Sequence, residues 1–363
     1  MGIVGLPNVG KSTLFNAITR AGAQAENYPF CTIEPNVGVV DVPDARLAVL
    51  HEMYQSKKTT PAAVRFVDIA GLVKGASKGE GLGNKFLEHI RQVDAIAHVV
   101  RCFEDADITH VEGAVDPIRD IGIITTELCL ADLETVEKRR EKLLRAMKSG
   151  SKEAKAEASL IERVASSLSE GRPARQLDFS EEEVALLREL TLLTMKPTLY
   201  VANVAEDEAV TAEKENPFVQ RVKEYAAAEG AEVVAISAKV EAEIAELSGE
   251  EAKEFLAAIG LAESGLDRLI KKAFSLLNLM TFLTAGPDEC RAWTITRGTT
   301  APKAAGKIHS DIERGFIRAE IVTYDDLVAA GSTAAAREKG KVRLEGKEYI
   351  MQDGDVTYFR FNV

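Results

Sequence analysis

Residues 5–13, Gly-Leu-Pro-Asn-Val-Gly-Lys-Ser-Thr, constrain the fold of this chain more than any other stretch. They follow the apolar pair Ile3 and Val4 and lead into a helix-forming run at 14–20. Two glycines followed by lysine and a hydroxyl residue at this spacing are typical of a phosphate-binding loop between a strand and a helix. An ordinary glycine-rich turn is the alternative, and the flanking strand and helix patterns argue against it. We therefore predict a nucleotide as the ligand.

Each part of this loop has a chemical role in that interpretation. Successive backbone N–H groups point at one anion, Lys11 brings a positive charge to the β- and γ-phosphates, and the Ser12 hydroxyl binds Mg²⁺. The N-terminus of the following helix adds its dipole to the attraction. The residues predicted to contact the phosphates are Asn8, Val9, Gly10, Lys11, Ser12 and Thr13.

Two later segments supply the partners that a magnesium-bound triphosphate needs. Residues 64–69 are typical of a buried strand, and Asp68 and Gly71 at its end form an Asp-x-x-Gly motif. Asp68 is predicted to hold Mg²⁺ through water, and the Gly71 N–H to meet the γ-phosphate. The proline-punctuated segment 27–36 fits neither helix nor strand. Within it, Thr32 is either a second Mg²⁺ ligand in a switch ordered by the triphosphate or an ordinary solvated threonine.

The residues expected to read the base are unusual. Another buried strand is predicted at 197–203, and it ends at Asn203, where a GTPase carries Asn-Lys-x-Asp to recognise guanine. Here Val204 and Glu206 replace the lysine and the aspartate. Guanine would leave polar groups imperfectly paired in such a site, a loss that produces large discrimination. We therefore expect ATP to be preferred over GTP.

A later strand at 233–237 leads into Ser237 and Ala238, which resemble the loop that closes over the base in GTPases. These two residues complete the predicted nucleotide site. The alternative is that Asn203 and Glu206 merely cap the segment that follows them, because asparagine favours such positions.

Several segments together resemble the Obg-like ATPase family, called YchF in bacteria; they are residues 5–13, 28–38, 68–84, 282–286, 291–295, 304–309 and 315–320. The resemblance covers essentially the whole chain. It implies a GTPase-type domain that prefers ATP, a helical insertion, a C-terminal TGS domain, and association with the ribosome or its large subunit and its rRNA. The chain departs from the family pattern at its start, where Gly2 follows Met1 directly, so the first strand is short.

Composition agrees with a multidomain soluble protein. The 363 residues predict roughly two to three domains. No apolar run approaches the roughly 18 residues that span a bilayer, and the N-terminus has no signal pattern, so we expect a cytoplasmic protein without a membrane partner. The cysteines lack metal-ligand spacing and are expected to be free thiols. The net charge of −12 argues against sequence-blind nucleic-acid binding, so DNA is not an expected partner and any RNA contact must be local.

Periodicity predicts the domain organisation. Apolar strands alternate with helical stretches in 1–124 and again in 196–277, which is the α/β pattern of a mostly parallel P-loop GTPase-type sheet. Residues 125–195 show helical spacing without strand signal and are predicted to form an inserted antiparallel helical hairpin. Residues 278–363 mix strand-like segments with one helix near 324–330, an α+β pattern that fits the TGS resemblance.

Two basic stretches are candidate rRNA contacts. The run 138–145 on the insertion either grips rRNA or is a solvated helix face. The stretch 297–318 contains Lys303, Lys307, Arg314 and Arg318 and is the predicted RNA-facing edge of the C-terminal domain. His309, in the same stretch, lacks a nucleophile partner and is interpreted as a surface histidine.

The group that activates water is the open question. Leu72 occupies the position where switch GTPases carry a water-orienting glutamine, and an apolar side chain cannot polarise water. His110 is the candidate, because the family resemblance places a mobile loop histidine near the phosphates; the alternative is an uninvolved loop histidine. Lys74 and Lys78 add charge stabilisation or are solvated switch lysines.

Two functional classes follow. One is a ribosome-associated, Mg²⁺-dependent ATPase whose phosphate state sets the arrangement of its helical arm and TGS domain. The other is a ribosome or RNA adaptor in which the nucleotide is chiefly a structural ligand and hydrolysis is incidental. A GTPase is the alternative within the first class. Leu72 favours the adaptor, whereas the set Lys11, Ser12, Thr32 and Asp68 favours the switch.

Overall fold

The computed structural model of the chain describes residues 1–21, 36–69, 82–148 and 152–362. They divide into two compact units. The first unit contains the described residues within 1–21, 34–38 and 65–269, and the second contains those within 39–64 and 270–363. None of the described helices combines the length and apolar character that crossing a bilayer requires.

The first unit is built on a sheet of short, strongly apolar strands. The strands are β1 (Gly2–Val4), β2 (Val37–Asp41), β4 (Ala63–Asp68), β5 (Ile96–Arg101), β6 (Thr198–Asn203) and β7 (Glu232–Ile236), in the spatial order β2-β4-β1-β5-β6-β7. β1 pairs in parallel with β4 and β5, and the parallel pairing continues from β5 to β6 and from β6 to β7. Every residue of β5 and β6 is buried, as expected of a sheet covered on both faces. The predicted mostly parallel sheet is therefore confirmed.

Helices follow the strands of this sheet along the chain. They are α1 (Lys11–Ala21), α3 (Leu82–Gln92), α7 (Ala212–Glu215), α8 (Pro217–Ala228), α9 (Ala238–Ile244), α10 (Gly249–Ala258) and α11 (Gly265–Leu276). Asn216 begins α8 by accepting a hydrogen bond from the Val219 N–H, and Ser237 begins α9 in the same way through Val240. Such side-chain caps satisfy backbone donors that have no partner inside the helix.

Between β5 and β6 the described residues form helices and loops, with no strand among them. The helices are α4 (Pro117–Lys148), α5 (Lys152–Ser169) and α6 (Glu181–Arg188), with short 3-10 helices at Ala174–Gln176 and Leu193–Met195. α4 and α5 share a buried core that includes Val136, Leu143, Ile161 and Val164. The chain allows three residues between these helices, a connection typical of antiparallel neighbours. Position 125, the predicted start of the insertion, lies inside α4, so the three-domain division stays a prediction.

The second unit is a mixed sheet with helices. It contains α2 (Ala45–Tyr54), β3 (Lys58–Thr60), β8 (Leu279–Ala285), β9 (Glu289–Thr296), α12 (Ala301–Ile308), α13 (Ser310–Arg314), β10 (Phe316–Thr323), α14 (Tyr324–Ala330), α15 (Thr333–Glu338), β11 (Arg343–Glu345) and β12 (Asp355–Phe361). The strand order is β11-β10-β12-β8-β9-β3. β8–β9, β10–β11 and β10–β12 are antiparallel, whereas β12–β8 and β3–β9 are parallel.

One expectation for this unit is wrong, and one strand was not predicted. The single predicted helix, α14, is joined by α12, α13 and α15. Their sequences are short and rich in alanine, and α12 buries Ala301, Ala304 and Ala305 against the sheet, so they show no long apolar period. β3 was also not predicted, because its sequence Lys-Thr-Thr is polar and it lies at the edge of the sheet.

Candidate functional site

The phosphate-binding loop follows β1, which lies between β4 and β5. Its backbone takes the left-handed region at Asn8 (φ 62°) and Gly10 (φ 97°). A Cβ added at Gly10 would lie 2.2 Å from Nδ2 of Asn203. Gly10 is therefore required both by its conformation and by the close approach of that amide.

Lys11 is the first residue of α1, and its side chain is buried. Its Nζ donates a hydrogen bond to the Leu6 carbonyl at 2.7 Å, so the ammonium lies over the loop that the sequence assigns to phosphate. Burial lowers the pKa of Lys11 to about 8, and the nearby Asp68 carboxylate opposes that shift. An anion in the loop would oppose it further.

Asp68 ends β4, and Ile3 of β1 lies beside it in the parallel register. Burial raises the pKa of Asp68, while Lys11 acts in the opposite direction. Within the described ranges, neither the Asp68 carboxylate nor the exposed Ser12 hydroxyl has a hydrogen-bond partner. A carboxylate and a hydroxyl are oxygen donors of the kind that Mg²⁺ takes, so these two residues fit the predicted metal. Thr32 and Gly71 lie outside the described residues, as do Leu72, Lys74 and Lys78.

Asn203 joins the phosphate loop to the loop on the base side. Its Nδ2 donates to the Val9 carbonyl at 2.9 Å, and its Oδ1 accepts from the Ala238 N–H at 3.0 Å. Asn203 is buried, so these bonds replace water that it would otherwise need. The structure therefore brings Val9, Asn203 and Ala238 together at the carboxyl end of the parallel strands, where such sheets bind ligands.

The two unusual base-side residues have different surroundings. Val204 is buried, and its N–H donates to the Ile236 carbonyl. Glu206 is exposed and forms an ion pair with Lys239 at 2.6 Å. Neither the Asn203 nor the Glu206 side chain bonds to the backbone of the segment that follows it among the described residues. The capping alternative is therefore not the arrangement seen here.

His110 is buried in the loop between β5 and α4. Its Nε2 lies 2.8 Å from Oδ2 of Asp120, and its Nδ1 accepts from the Glu112 N–H at 3.1 Å. Those bonds assign a neutral ring with the proton on Nε2. The adjoining Thr109 carbonyl accepts from Asn8 Nδ2 at 3.1 Å, so this loop borders the phosphate loop. Since both ring nitrogens are engaged, His110 can orient water only after leaving this position.

Arg101, at the end of β5, was missed by the sequence reasoning. It is fully buried, and its guanidinium donates to the carbonyls of Phe103, Asp105 and Ile108. The side chain therefore holds the turn that leads to His110. A charged residue ending an otherwise apolar strand was the available signal, because a buried arginine requires several acceptors.

A second missed cluster ties the helical region to the sheet. Arg175 pairs with Glu229 at 2.8 Å, and the Tyr200 hydroxyl donates to the same carboxylate at 3.0 Å. On α4, the buried Asp132 carboxylate accepts from the backbone N–H groups of Leu193 and Thr194. These contacts join residues far apart in sequence, so no local pattern could have predicted them.

Family models match both ends of the chain. One, described as "50S ribosome-binding GTPase", matches residues 1–131. The other, the YchF-GTPase C-terminal family described as "Protein of unknown function (DUF933)", matches residues 279–362. The first contains the phosphate loop, Asp68 and His110, and the second contains every strand of the mixed sheet except β3.

Full-length relatives are similar along the whole chain. The ribosome-binding ATPase YchF of Bacillus subtilis is 61% identical, covering 100% of this chain and 99% of the relative. Obg-like ATPase 1 of Rattus norvegicus is 47% identical, covering 100% and 92%. The solved YchF GTPase of Schizosaccharomyces pombe is 43% identical with a TM-score of 0.89, covering 99% and 97%. A GTP-binding protein of Pyrococcus horikoshii at 20% identity and a TM-score of 0.61 shares the fold. The chain therefore belongs to the YchF family of Obg-like ATPases.

Proposed function

We propose that this protein is a ribosome-binding ATPase that hydrolyses ATP in the site formed by the phosphate loop, Asp68 and Asn203. The single observation that carries the proposal is the buried Lys11 ammonium lying over a loop that Asn203 ties to the base-side loop. The relatives named as ribosome-binding ATPases support the same activity. A cytoplasmic location goes with this function, because ribosomes work there.

The preference for ATP over GTP is part of the proposal. The buried Val204 leaves no lysine stem to lie along a base, and the Glu206 carboxylate is engaged by Lys239. A carboxylate held by an ammonium offers fewer free lone pairs to the guanine donors. The exocyclic amine of adenine is a donor that needs a single acceptor. Adenine therefore suits the site beside Val204 and Glu206 better than guanine does.

Mg²⁺ is the proposed metal, held by Ser12, Asp68 and Thr32. It would neutralise charge that develops on the phosphate oxygens. Lys11 contributes positive charge from a buried position, and the Gly71 N–H is proposed to meet the γ-phosphate. The roles of Thr32 and Gly71 are proposed from the sequence motifs alone. The roles of Ser12, Asp68 and Lys11 are also supported by the geometry of the site.

His110 is proposed to orient the attacking water. A neutral imidazole in a loop that borders the phosphate loop supports that role. In the described arrangement Asp120 and the Glu112 N–H hold the ring, so the proposal includes a movement of this loop when the triphosphate binds. Such a movement would make turnover slow until the loop rearranges.

The large ribosomal subunit and its rRNA are the proposed partners. On the insertion, Lys138, Arg139 and Arg140 form ion pairs with glutamates of α4 and α5, which favours a solvated or structural face over an rRNA grip. In the C-terminal unit, Lys307 and Arg318 have no ion-pair partner among the described residues. We therefore favour the C-terminal unit as the RNA-contacting part.

Parallel ATP and GTP titrations, with turnover measured with and without ribosomes, test the proposal. We expect tighter binding of ATP, slow turnover of the free protein, and faster turnover with ribosomes. The Lys11→Ala protein is the matched control, and it should neither bind nor hydrolyse ATP. Hydrolysis that persists unchanged in that variant would contradict the assignment of the site.

The adaptor function is the second candidate. Leu72 at the position of the water-orienting glutamine and the engaged ring nitrogens of His110 favour it. ATP binding that supports ribosome association without measurable turnover, with or without ribosomes, would select this function.

A further inference from the structure

An exposed tyrosine lies in the middle of the second sheet. Tyr358 belongs to β12, which has β10 on one side and β8 on the other, and 69% of its surface is exposed. Phe359 and Ala319, which face the opposite side of these strands, are buried in the core with α12. Val322 and Val356, a register pair on the same face as Tyr358, are buried. Tyr358 is therefore an exposed aromatic ring on the part of this face that stays open, and it contributes little to the core.

The neighbours of Tyr358 on this face are known from the register. Glu320 of β10 lies directly opposite Tyr358, Arg318 lies opposite Arg360, and Leu344 of β11 lies opposite Glu320. Leu344 is more than half exposed. The open face of residues Arg318, Glu320, Leu344, Tyr358 and Arg360 thus combines an aromatic ring, an apolar side chain and cations.

The charges of the open face are unbalanced. Like charges placed opposite each other across a sheet are destabilising, and the pair Arg318 and Arg360 has this arrangement. Arg360 and Arg337 both bind the Glu320 carboxylate, which is 8% exposed. The Arg318 guanidinium has no hydrogen-bond or ion-pair partner in the described part of the chain. In a chain of net charge −12, an excess of arginine here marks a local site for an anion.

A cavity of about 640 Å³ adjoins the open face, and Tyr358, Arg360, Arg337 and Phe361 line part of it. Cavities of this size hold small organic ligands. Its acidic lining residues outside the open face already have partners, since Asp288 pairs with Lys57 and Glu289 accepts from the Thr60 hydroxyl. Arg318 is therefore free to attract an anionic partner, and Arg360, which shares the single Glu320 carboxylate with Arg337, leaves an excess of positive charge beside it.

We propose that the open face binds single-stranded RNA, with one base stacked on Tyr358 and the adjoining phosphates held by Arg318 and Arg360. An exposed aromatic ring on a sheet accepts an unpaired base, and arginines beside it meet the backbone. Duplex RNA does not offer a free base plane. The inference rests on the proposed function, because ribosome binding is the reason to choose RNA among polyanions.

The test measures binding of a short fluorescein-labelled oligoadenylate to the full-length protein by fluorescence anisotropy. We expect Tyr358→Ala to weaken binding about 5- to 100-fold, because base–aromatic stacking contributes on that scale. Tyr358→Phe should retain binding, since the ring is kept. Arg318→Gln should weaken binding. It should also make the plot of log binding constant against log salt concentration shallower by about 0.7 in slope.

Lys58→Gln is the matched control for Arg318→Gln. Lys58 is also exposed and its side chain has no partner among the described residues, but it belongs to β3, at the opposite edge of the sheet from β10 and β11. Its replacement should leave oligonucleotide binding and the effect of Tyr358→Ala unchanged. A 5-iodouridine oligonucleotide should crosslink to Tyr358 and give a direct position for the base.

Four outcomes would overturn the inference. The first is unchanged oligoadenylate binding in Tyr358→Ala, and the second is an affinity of the unaltered protein for duplex RNA equal to that for oligoadenylate. The third is crosslinks confined to α12. The fourth is no RNA binding at all, which would leave a protein partner for this face. Sedimentation of the same variants with ribosomes separates this inference from the proposed function. If the unaltered protein sediments with ribosomes and hydrolyses ATP while Tyr358→Ala binds oligoadenylate normally, only the open-face inference fails.

Discussion

The side-chain amide of Asn203 lies between the two loops of the nucleotide site, donating to the Val9 carbonyl at 2.9 Å and accepting from the Ala238 N–H at 3.0 Å. One buried residue at the end of β6 therefore holds the phosphate loop against the start of α9. Asn203 acts here as a structural link between loops, whatever contact it also makes with the base.

Replacing Asn203 by alanine should weaken ATP binding and destabilise the first unit. The Ala238 N–H and the Val9 carbonyl would lose their partners, and a buried unpaired group costs about 1–3 kcal/mol. Calorimetric titration with ATP and denaturant unfolding measure the two effects. Asn216→Ala is the control, because Asn216 is equally buried and also makes two backbone bonds, to Cys102 and Val219, away from the loops. It should lose stability while keeping its affinity, and an equal loss of affinity in both variants would contradict the prediction.

The sequence predicts some strands and some residues of the nucleotide site, and it misses others for physical reasons. β5 and β6 were predicted because continuous apolar runs are typical of buried parallel strands. α12 and β3 were not, because alanine-rich and polar segments carry no period. Lys11, Asp68 and Asn203 follow from local motifs. The pairing of His110 with Asp120 and the burial of Arg101 depend on how the loop after β5 folds, and no spacing in the chain encodes that.

The second prediction concerns the base. ATP should bind at least several-fold more tightly than GTP, because Val204 and Glu206 replace the residues that read guanine. The double change Val204→Lys with Glu206→Asp should shift the preference towards GTP. Lys239→Ala, which frees the Glu206 carboxylate without rebuilding the guanine site, is the comparison variant. Equal ATP and GTP affinities in the unaltered protein, measured by competition titration, would refute the base-side argument.

The third prediction concerns the phosphate loop. Lys11→Ala should abolish Mg²⁺-dependent nucleotide binding while leaving the unit folded, because the buried ammonium makes one hydrogen bond, to Leu6, among the described residues. Ser12→Ala should have the same effect through loss of the hydroxyl proposed for Mg²⁺. Circular dichroism and thermal unfolding check the fold, and nucleotide titrations with and without Mg²⁺ check the site. Nucleotide hydrolysis at the original rate in either variant would place the site elsewhere.

The fourth prediction concerns acid stability. Burial lowers the pKa of His98 on β5 to about 3, with smaller contributions from Arg175 and Lys11. An unfolded histidine titrates near pH 6.5, so between about pH 6.5 and 3 the unfolded chain takes up a proton that the folded chain refuses. The free energy of unfolding should therefore fall as the pH falls through this window, with a slope of up to about 1.4 kcal/mol per pH unit from this residue.

Denaturant unfolding across the window measures this dependence. In His98→Leu the free energy of unfolding should depend less steeply on pH. His89→Gln, which removes an exposed histidine, should keep the original slope, and an unchanged slope in His98→Leu would exclude His98 as the cause.

The last prediction concerns hydrolysis. If His110 orients water, His110→Ala should reduce turnover by about 10²-fold or more, with ATP affinity nearly unchanged, because the interaction is made mainly in the transition state. Leu72→Ala should instead change affinity and rate together, because Leu72 follows Gly71, whose N–H is proposed to meet the γ-phosphate, and the change would alter how this segment packs. The ATP dissociation constant and the turnover rate are measured for His110→Ala and for Leu72→Ala at saturating Mg²⁺. Because Asp120 and the Glu112 N–H hold the ring in the described arrangement, a histidine that acts must exchange these bonds for a water molecule. A His110→Ala protein that hydrolyses ATP as fast as the parent would remove the histidine from the mechanism and leave a group supplied by the ribosome as the explanation for turnover.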